Sequence, residues 1–276
     1  MVEDSKNEFE IEFLSSSGVY KTPFTLIIFL QLFVGGIVIV LVNLWFVNGL
    51  YFLLTGNEFY PMTTTPQWYY WFLLPLNIYG NIFLFTFAVI LFSGVIFRII
   101  NKISPPKEGV FKRKSRDWKF MHRRFWTAYF PIWLARALPL PWLDIICYRF
   151  FGIKVGKNVV LYEGYVDPVF VEIGDFTMTS LNICIFSHLI YHDKVIIKKV
   201  KIGKACIVGP HTIVAPGTVM HQGAVLGVNS YTWLGQELEG DIIHVGTPAT
   251  IKLPIQSVEE SIKKAKKVKT GSENEG

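Results

Sequence analysis

The stretch IGKACIVGPHTIVAPGTVMHQGAVLGVNSY, residues 202–231, consists of five consecutive repeats of six residues. The first position of each repeat is a large apolar residue and the fifth is small. An α-helix repeats about every 3.6 residues and a strand about every two, so neither produces this pattern. A parallel β-helix with flat faces does, because six residues make one face and its corner. The first-position residues are therefore predicted to fill the core: Ile202, Val208, Val214, Met220 and Leu226.

The same period appears in a weaker form before this stretch. Residues 155–159 and 173–177 each match one repeat, but Asp167 and Thr179 stand where an apolar core residue is expected. The earlier coils are therefore expected to be less regular or partly exposed. Residues 188–199 do not repeat and are predicted to form a loop outside the coil, where functional residues often lie.

The amino-terminal part of the chain contains two long stretches without charge, residues 24–47 and 71–97. Each is long enough to cross a hydrocarbon core of about 30 Å. The first is too long for a signal peptide and lacks a small-residue cleavage pattern. Residues 24–100 are therefore predicted to form two transmembrane helices. Three asparagines in or near these stretches are expected to hydrogen-bond between the helices: Asn43, Asn77 and Asn81.

Lysine and arginine predict the orientation of these helices. Residues 48–70 between the spans contain no Lys or Arg, whereas residues 98–136 contain eleven. The positive-inside rule then places both termini in the cytoplasm. The net charge of +6 is concentrated in this basic stretch, next to a predicted span. Attraction to anionic lipid headgroups is therefore favoured over nucleic-acid binding.

The complete organisation predicted from the sequence has five parts. A cytoplasmic segment, residues 1–23, precedes the two-helix region, and residues 101–151 form a basic and aromatic linker in the membrane interface. Pro131, Pro139 and Pro141 are expected to cut this linker into short pieces. Residues 152–254 form a cytoplasmic β-helix of about four coils, and residues 255–276 form a basic helical tail with a disordered end.

The repeats resemble those of the left-handed β-helix acyltransferases, the hexapeptide-repeat family. The resemblance extends over about residues 150–252. Residues 187–203 are also similar to a sequence in the carboxy-terminal membrane region of poly-lysine synthetases, where a similar β-helix follows transmembrane helices. The features that carry the family resemblance are APGTV at 215–219, VGTPA at 245–249, DPVFVEIGD at 167–175, and His188 before the non-repeating loop.

The resemblance implies an enzyme that moves an acyl group, expected to be acetyl, from coenzyme A or another pantetheine thioester to a hydroxyl or amine. The thioester is a co-substrate, and no permanently bound cofactor is expected. His188 matches the family's general base, and an imidazole suits proton removal near neutral pH. His192 and Asp193 follow on the same loop, where Asp193 is expected to hold a histidine tautomer. The implied donor contacts are Gly209, Gly227, Ser230, Pro248, Ala249 and Lys252.

Several questions stay open at this level. His221 replaces the usual glycine of its repeat, and Thr250 stands where many family members have lysine, so the nature of the donor is open. A homotrimer is expected, because family members are commonly trimers and a short coil gains by burying a face. A non-catalytic scaffold for membrane assembly is one alternative. A zinc-dependent γ-type carbonic anhydrase is another, although the partner expected five residues after His211 is Pro216.

Overall fold

The computed structural model describes residues 24–56, 72–255 and 260. The predicted segment 1–23, most of the loop between the predicted spans, and the tail apart from Ile255 and Glu260 lie outside the described residues. The chain divides into two compact units. The helical unit is Met1–Ile153 with Ile190–Ile196, and the β-helix unit is Lys154–Leu189 with Ile197–Gly276.

Two long apolar helices make up much of the helical unit. Helix α1 (Phe24–Leu44) continues through a π-helical segment (Trp45–Leu50) into α2 (Tyr51–Thr55). Helix α3 (Leu74–Ile103) follows the gap in the described chain. By length and composition alone, Phe24–Leu54 and α3 are each sufficient to cross a membrane.

Polar side chains join α1 to α3. The predicted hydrogen bonding of the asparagines is confirmed: Asn43 Nδ2 donates to Asn81 Oδ1 at 3.1 Å, and Asn77 Nδ2 donates to Asn43 Oδ1 at 3.0 Å. Towards the other end, the fully buried Gln31 donates from Nε2 to Ser93 Oγ at 2.8 Å. Early α1 thus meets late α3, so the two helices run antiparallel.

The linker is more continuous than its prolines predict. Strand β1 (Gly109–Lys112) is followed by α4 (Arg116–Ala137), which contains Pro131 in its interior. A proline cannot donate to the carbonyl four residues earlier, here that of Thr127. Gln31 Nε2 donates to this carbonyl at 3.1 Å instead. The expectation that Pro131 ends a helix is therefore wrong, because a side chain of α1 satisfies the group that the proline leaves without a partner.

The other two prolines do mark a break. Helix α4 ends before Pro139, and α5 (Leu143–Phe150) begins after Pro141. Helix α5 packs closely on α3, since a Cβ added at Gly94 would overlap the ring of Phe150. A glycine is therefore required at this approach of the two helices.

Short strands form the β-helix unit and the hairpin that leaves it. Their bounds are β2 (Lys154–Val155), β3 (Gly164–Val166), β4 (Val171–Ile173), β5 (Met178–Thr179), β6 (Ile183–Ile185), β7 (His188–Tyr191), β8 (Lys194–Ile197), β9 (Val200–Ile202), β10 (Ile207–Val208), β11 (Ile213–Val214), β12 (Val219–Met220), β13 (Val225–Leu226), β14 (Glu237–Leu238), β15 (Ile242–Gly246) and β16 (Ala249–Pro254).

Three sheets of mainly parallel strands build the coil. Their orders are β2-β4-β9-β12-β14, β5-β10-β13-β15-β16 and β3-β6-β11, and only β16 pairs antiparallel. Lys201 pairs with Val219, and Val219 pairs with Glu237, so each step advances by eighteen residues. Eighteen residues are three repeats of six, and one turn therefore passes through all three sheets. This is the pairing of a three-sided parallel β-helix.

The core agrees with the repeat, with one informative difference. All five first-position residues from Ile202 to Leu226 are buried, as predicted. Asp167 and Thr179 are also buried, but only Thr179 pairs with a core residue, Val208, whereas Val166 in place of Asp167 lies opposite the core residue Ile185. Their polar atoms have partners inside the wall: Thr179 Oγ1 accepts from Tyr162 N at 3.0 Å, and Asp167 accepts several donors. A satisfied polar group can be buried at modest cost.

The non-repeating segment is ordered. Strands β7 and β8 are joined by a turn at His192 and Asp193, and they form a sheet in the order β1-β8-β7. The sequence KVII at 194–197 buries Val195 and Ile197, an alternation typical of a strand. The predicted loop is therefore a β-hairpin.

Candidate active site

Asp167 and His188 come together because they follow neighbouring strands. Strands β3 and β6 pair in parallel, with Val166 opposite Ile185. Asp167 comes directly after β3, and His188 comes shortly after β6, where the chain leaves the coil. The two side chains therefore share one corner of the β-helix.

The carboxylate of Asp167 is almost completely buried and accepts several hydrogen bonds. His188 Nδ1 lies 2.6 Å from Asp167 Oδ2, with side-chain exposures of 18% for the histidine and 1% for the aspartate. The same oxygen accepts from Ser187 N at 2.6 Å, Ser187 Oγ at 3.0 Å and His188 N at 3.2 Å. The other oxygen, Oδ1, accepts from Tyr165 Oη at 2.6 Å. This number of donors is what an ionised carboxylate requires in a buried position.

The contact fixes the chemistry of the imidazole. An ionised carboxylate only accepts hydrogen bonds, so His188 Nδ1 must carry a proton towards Asp167. In the neutral ring, Nε2 is then the nitrogen that accepts a proton. The same carboxylate stabilises the ring once it becomes positively charged. A histidine oriented in this way is suited to act as a general base.

Aromatic rings and a cysteine surround the Asp167–His188 pair. The ring of Phe186 lies 6.2 Å from that of His188 and 5.4 Å from that of Tyr165, measured between centroids. Burial, together with the charge of Asp167, raises the pKa of the Cys184 thiol. A protonated thiol is a poor nucleophile, so the site offers a base rather than a cysteine nucleophile.

The other two predicted catalytic residues, His192 and Asp193, form the turn of the β7–β8 hairpin and belong to the helical unit. The ring of His192 packs against Tyr191 at 4.2 Å, and the backbone carbonyl of Asp193 accepts from Arg113 N. The carboxylate that contacts His188 Nδ1 is Asp167, which was not among the predicted site residues. The sequence signal for this role was a polar residue where the repeat predicted an apolar core residue.

Three of the six expected donor contacts, Gly209, Gly227 and Ser230, take part in packing between coils. Gly209 N donates to Leu226 O at 2.8 Å, and Gly227 N donates to His244 O at 2.8 Å. Ser230 is buried, and its Oγ accepts from Gly246 N at 3.0 Å. The remaining three residues lie on or between β15 and β16. Ala249 is buried, Pro248 lies in the connecting turn, and the exposed Lys252 pairs with Glu239 at 2.7 Å.

The remaining histidines of the β-helix unit lack a buried carboxylate partner in the contacts described. His211 is exposed at a corner with φ of 56°, and His221 lies 3.7 Å from Glu237 with both side chains exposed. His244 is buried, and its Nε2 lies 3.0 Å from Glu239 O. Over residues 24–56, 72–255 and 260, no group of three or more His, Cys, Asp or Glu side chains is arranged to hold a metal ion.

Comparison with known proteins yields similarities in structure alone. No protein-family model and no curated protein sequence matches the chain. A maltose O-acetyltransferase from Clostridium difficile 630 aligns with 54% of this chain and 94% of its own, at 16% identity and a TM-score of 0.44. A hexapeptide-repeat acetyltransferase from Vibrio cholerae aligns with 53% and 97%, at 15% identity and a TM-score of 0.42. A galactoside acetyltransferase in complex with coenzyme A aligns with 56% and 90%, at 14% identity and a TM-score of 0.42.

Proposed function

We propose that this protein is a membrane-anchored acyltransferase built on a left-handed β-helix, with His188 as its general base. The observation that carries the proposal is the 2.6 Å contact between His188 Nδ1 and the buried Asp167. The hexapeptide repeats and their resemblance to the acyltransferase family supply the reaction class. The acyl donor is coenzyme A or another pantetheine thioester, and the acyl group is acetyl.

The proposed reaction needs one proton acceptor and one acyl transfer. His188 Nε2 takes the proton from the acceptor hydroxyl or amine as that group attacks the thioester carbonyl. The tetrahedral intermediate collapses and breaks the carbon–sulfur bond, and the leaving thiolate takes the proton from the imidazolium. The Nδ1 proton stays on His188 and is hydrogen-bonded to Asp167 throughout. The carboxylate stabilises the imidazolium between these two steps.

Membrane anchoring is supported by the surfaces of α1 and α3. Large apolar side chains on both helices are exposed, including Leu26, Phe29, Phe33 and Leu41 of α1 and Leu76, Tyr79, Leu91 and Val95 of α3. Apolar surface of this extent is unfavourable in water and favourable in lipid. The basic stretch after α3 supports a cytoplasmic location for both termini and the β-helix. A membrane-bound acceptor, such as a lipid-linked sugar or a lipid headgroup, fits this arrangement.

The proposal includes a homotrimer and a donor site near β16. In the sheet β5-β10-β13-β15-β16, copies of the chain would bury one outward-facing row of apolar residues against each other. The row consists of Val160, Met178, Ile207, Val225 and Ile243. The six donor residues inferred from the family resemblance stay part of the proposal. Among them, Lys252 carries an exposed ammonium that pairs with Glu239, and this ammonium would bind a phosphate of the donor in place of the carboxylate. Light scattering in mild detergent tests the trimer by its mass.

The experiment that tests the function is acyl transfer by the full chain in detergent or nanodiscs. Radiolabelled acetyl-CoA is offered with lipid extract and with soluble metabolites, and the labelled fraction identifies the acceptor class. His188→Ala is expected to lower the rate by about 10²–10⁴-fold. His211→Asn is the control, because Asn tolerates the positive φ of this exposed corner. Full activity in His188→Ala would contradict the assignment, and absence of transfer in the parent chain would favour a scaffold.

A further inference from the structure

The two oxygens of Asp167 have different partners. Oδ2 contacts the ring of His188 and both donors of Ser187, whereas Oδ1 accepts the hydroxyl of Tyr165 at 2.6 Å. The terminal torsion of an aspartate is broad, so the rest of the side chain does little to fix the plane of its carboxylate. A short hydrogen bond to the second oxygen restricts that rotation.

We propose that Tyr165 is a positioning residue for the general base, acting through Asp167. Its hydroxyl holds Oδ1 so that Oδ2 stays directed at His188 Nδ1, and this keeps the ring in the tautomer with the proton on Nδ1. The inference rests on the proposed function for its catalytic consequence. The effect on the tautomer of His188 does not depend on that function.

The local structure explains why Tyr165 reaches the carboxylate. Residues two apart in an extended chain point to the same side, and Tyr165 precedes Asp167 by two. The ring of Phe186 packs on Tyr165 at 5.4 Å and on His188 at 6.2 Å. This second contact holds the tyrosine ring beside the pair. The hydroxyl is therefore placed by backbone direction and by ring packing together.

The same sheet offers a matched control. Tyr165 pairs with Cys184, Cys184 with Ile213, and Ile213 with Tyr231, so both tyrosines project from the same face. The hydroxyl that bonds Asp167 belongs to Tyr165. Tyr231→Phe therefore removes a hydroxyl from this face without affecting the bond to the Asp167 carboxylate. Tyr165→Phe removes the hydroxyl that makes that bond.

The first measurement is steady-state acyl transfer by the full chain in detergent. Tyr165→Phe keeps the ring and is expected to lower kcat about tenfold, which corresponds to about 1.4 kcal/mol, with KM for the donor unchanged. Tyr231→Phe is expected to match the parent. Unchanged kcat in Tyr165→Phe, or a loss confined to KM, overturns the proposal because a positioning defect acts on the chemical step.

The second measurement needs no turnover. Nuclear magnetic resonance of the chain with ¹⁵N-labelled histidine reports the ring nitrogens, and the His188 signals are assigned by their loss in His188→Ala. The parent is expected to show protonated Nδ1, and Tyr165→Phe is expected to show a mixture of tautomers. An unchanged tautomer overturns the inference even if His188 is essential. Full transferase activity in His188→Ala overturns the proposed function instead, while a shifted tautomer would still support the role of Tyr165 in orienting the ring.

Discussion

The helical unit and the β-helix unit place their apolar side chains in opposite ways. In the β-helix unit, Val208, Val214 and Leu226 are completely buried, and the described Lys, Arg, Asp and Glu side chains other than Asp167 reach the surface. In the helical unit, Phe29 and Phe33 are exposed, while Gln31 between them in sequence is completely buried. The first pattern is favourable in water, and the second is the one that the proposed membrane anchoring requires, because exposed apolar side chains are favourable in lipid.

Buried polar groups have different roles in the two units. In the helical unit, Gln31 connects α1 to Ser93 and to the backbone of α4, which is how polar side chains join helices in lipid. In the β-helix unit, Asp167 follows the core residue Val166 and is itself buried at the corner of the coil. Burial of a carboxylate is costly unless several donors compensate it. The five donors around Asp167 compensate its burial, and one of them, the ring of His188, is the general base of the proposed function.

The largest effect is expected from Asp167→Asn. The amide removes the charge that stabilises the imidazolium and no longer requires the proton on His188 Nδ1, so kcat should fall by about 10²–10⁴-fold. Asp175→Asn is the control, because this carboxylate accepts from the backbone of Lys157 and pairs with the ammonium of Lys204, whereas Asp167 contacts His188. Transfer rates of the two variants check the prediction. Equal activity of Asp167→Asn and the parent would mean that the buried carboxylate is structural.

The next effect is on the stability of the coil. Leu226→Ala should lower the free energy of unfolding by about 2–5 kcal/mol, because it leaves a cavity in a completely buried core. Val228→Ala, two residues later and 64% exposed, should change it by less than about 0.5 kcal/mol. Thermal unfolding followed by the β-sheet signal in circular dichroism compares the two. Similar losses would contradict an apolar core at the first repeat position.

A smaller effect is expected from Gln31→Leu in the helical unit. The change removes the bond to Ser93 and leaves the Thr127 carbonyl without its donor, at a cost of about 0.6–1.7 kcal/mol. Pro131→Ala supplies a backbone N–H for that carbonyl. The double variant should therefore lose less than the sum of the two single changes, measured as resistance to unfolding in detergent. Additive losses would show that Gln31 does not replace the missing bond at Pro131.

The sequence predicted the parts of the molecule that depend on periodicity. The buried positions of the five six-residue repeats follow from spacing along the chain, and the bonds among Asn43, Asn77 and Asn81 follow from amide side chains within otherwise apolar helices. The partner of His188 did not follow, because Asp167 is twenty-one residues away and meets it only through the pairing of β3 with β6. The continuous helix at Pro131 depends on Gln31, and this contact is also invisible to a local pattern.

The smallest expected effect concerns a surface carboxylate of the coil. Glu172 accepts from Lys154 at 2.8 Å and from Lys199 at 3.2 Å. The hydrogen bond from Lys154, assisted by Lys199 and opposed by burial, holds the pKa of Glu172 below its usual range. A lowered carboxyl pKa stabilises the fold above the pKa of the unfolded chain, and this stability is lost as the pH falls through the folded pKa.

Glu172→Gln should therefore reduce stability at neutral pH by at most about 1 kcal/mol, as expected for an exposed ion pair. The difference from the parent should shrink as the pH falls below the usual glutamate pKa, and it should vanish below the lowered pKa of folded Glu172, where the carboxyl is protonated and uncharged like the amide. Thermal unfolding from pH 7 to pH 3 measures the difference at each pH, and high salt should diminish it at neutral pH by screening the pair. A difference that persists unchanged at pH 3 would show that Glu172 acts through packing. The charge of Glu172 would then contribute nothing to stability. The buried charge of Asp167 differs, because its removal should lower kcat.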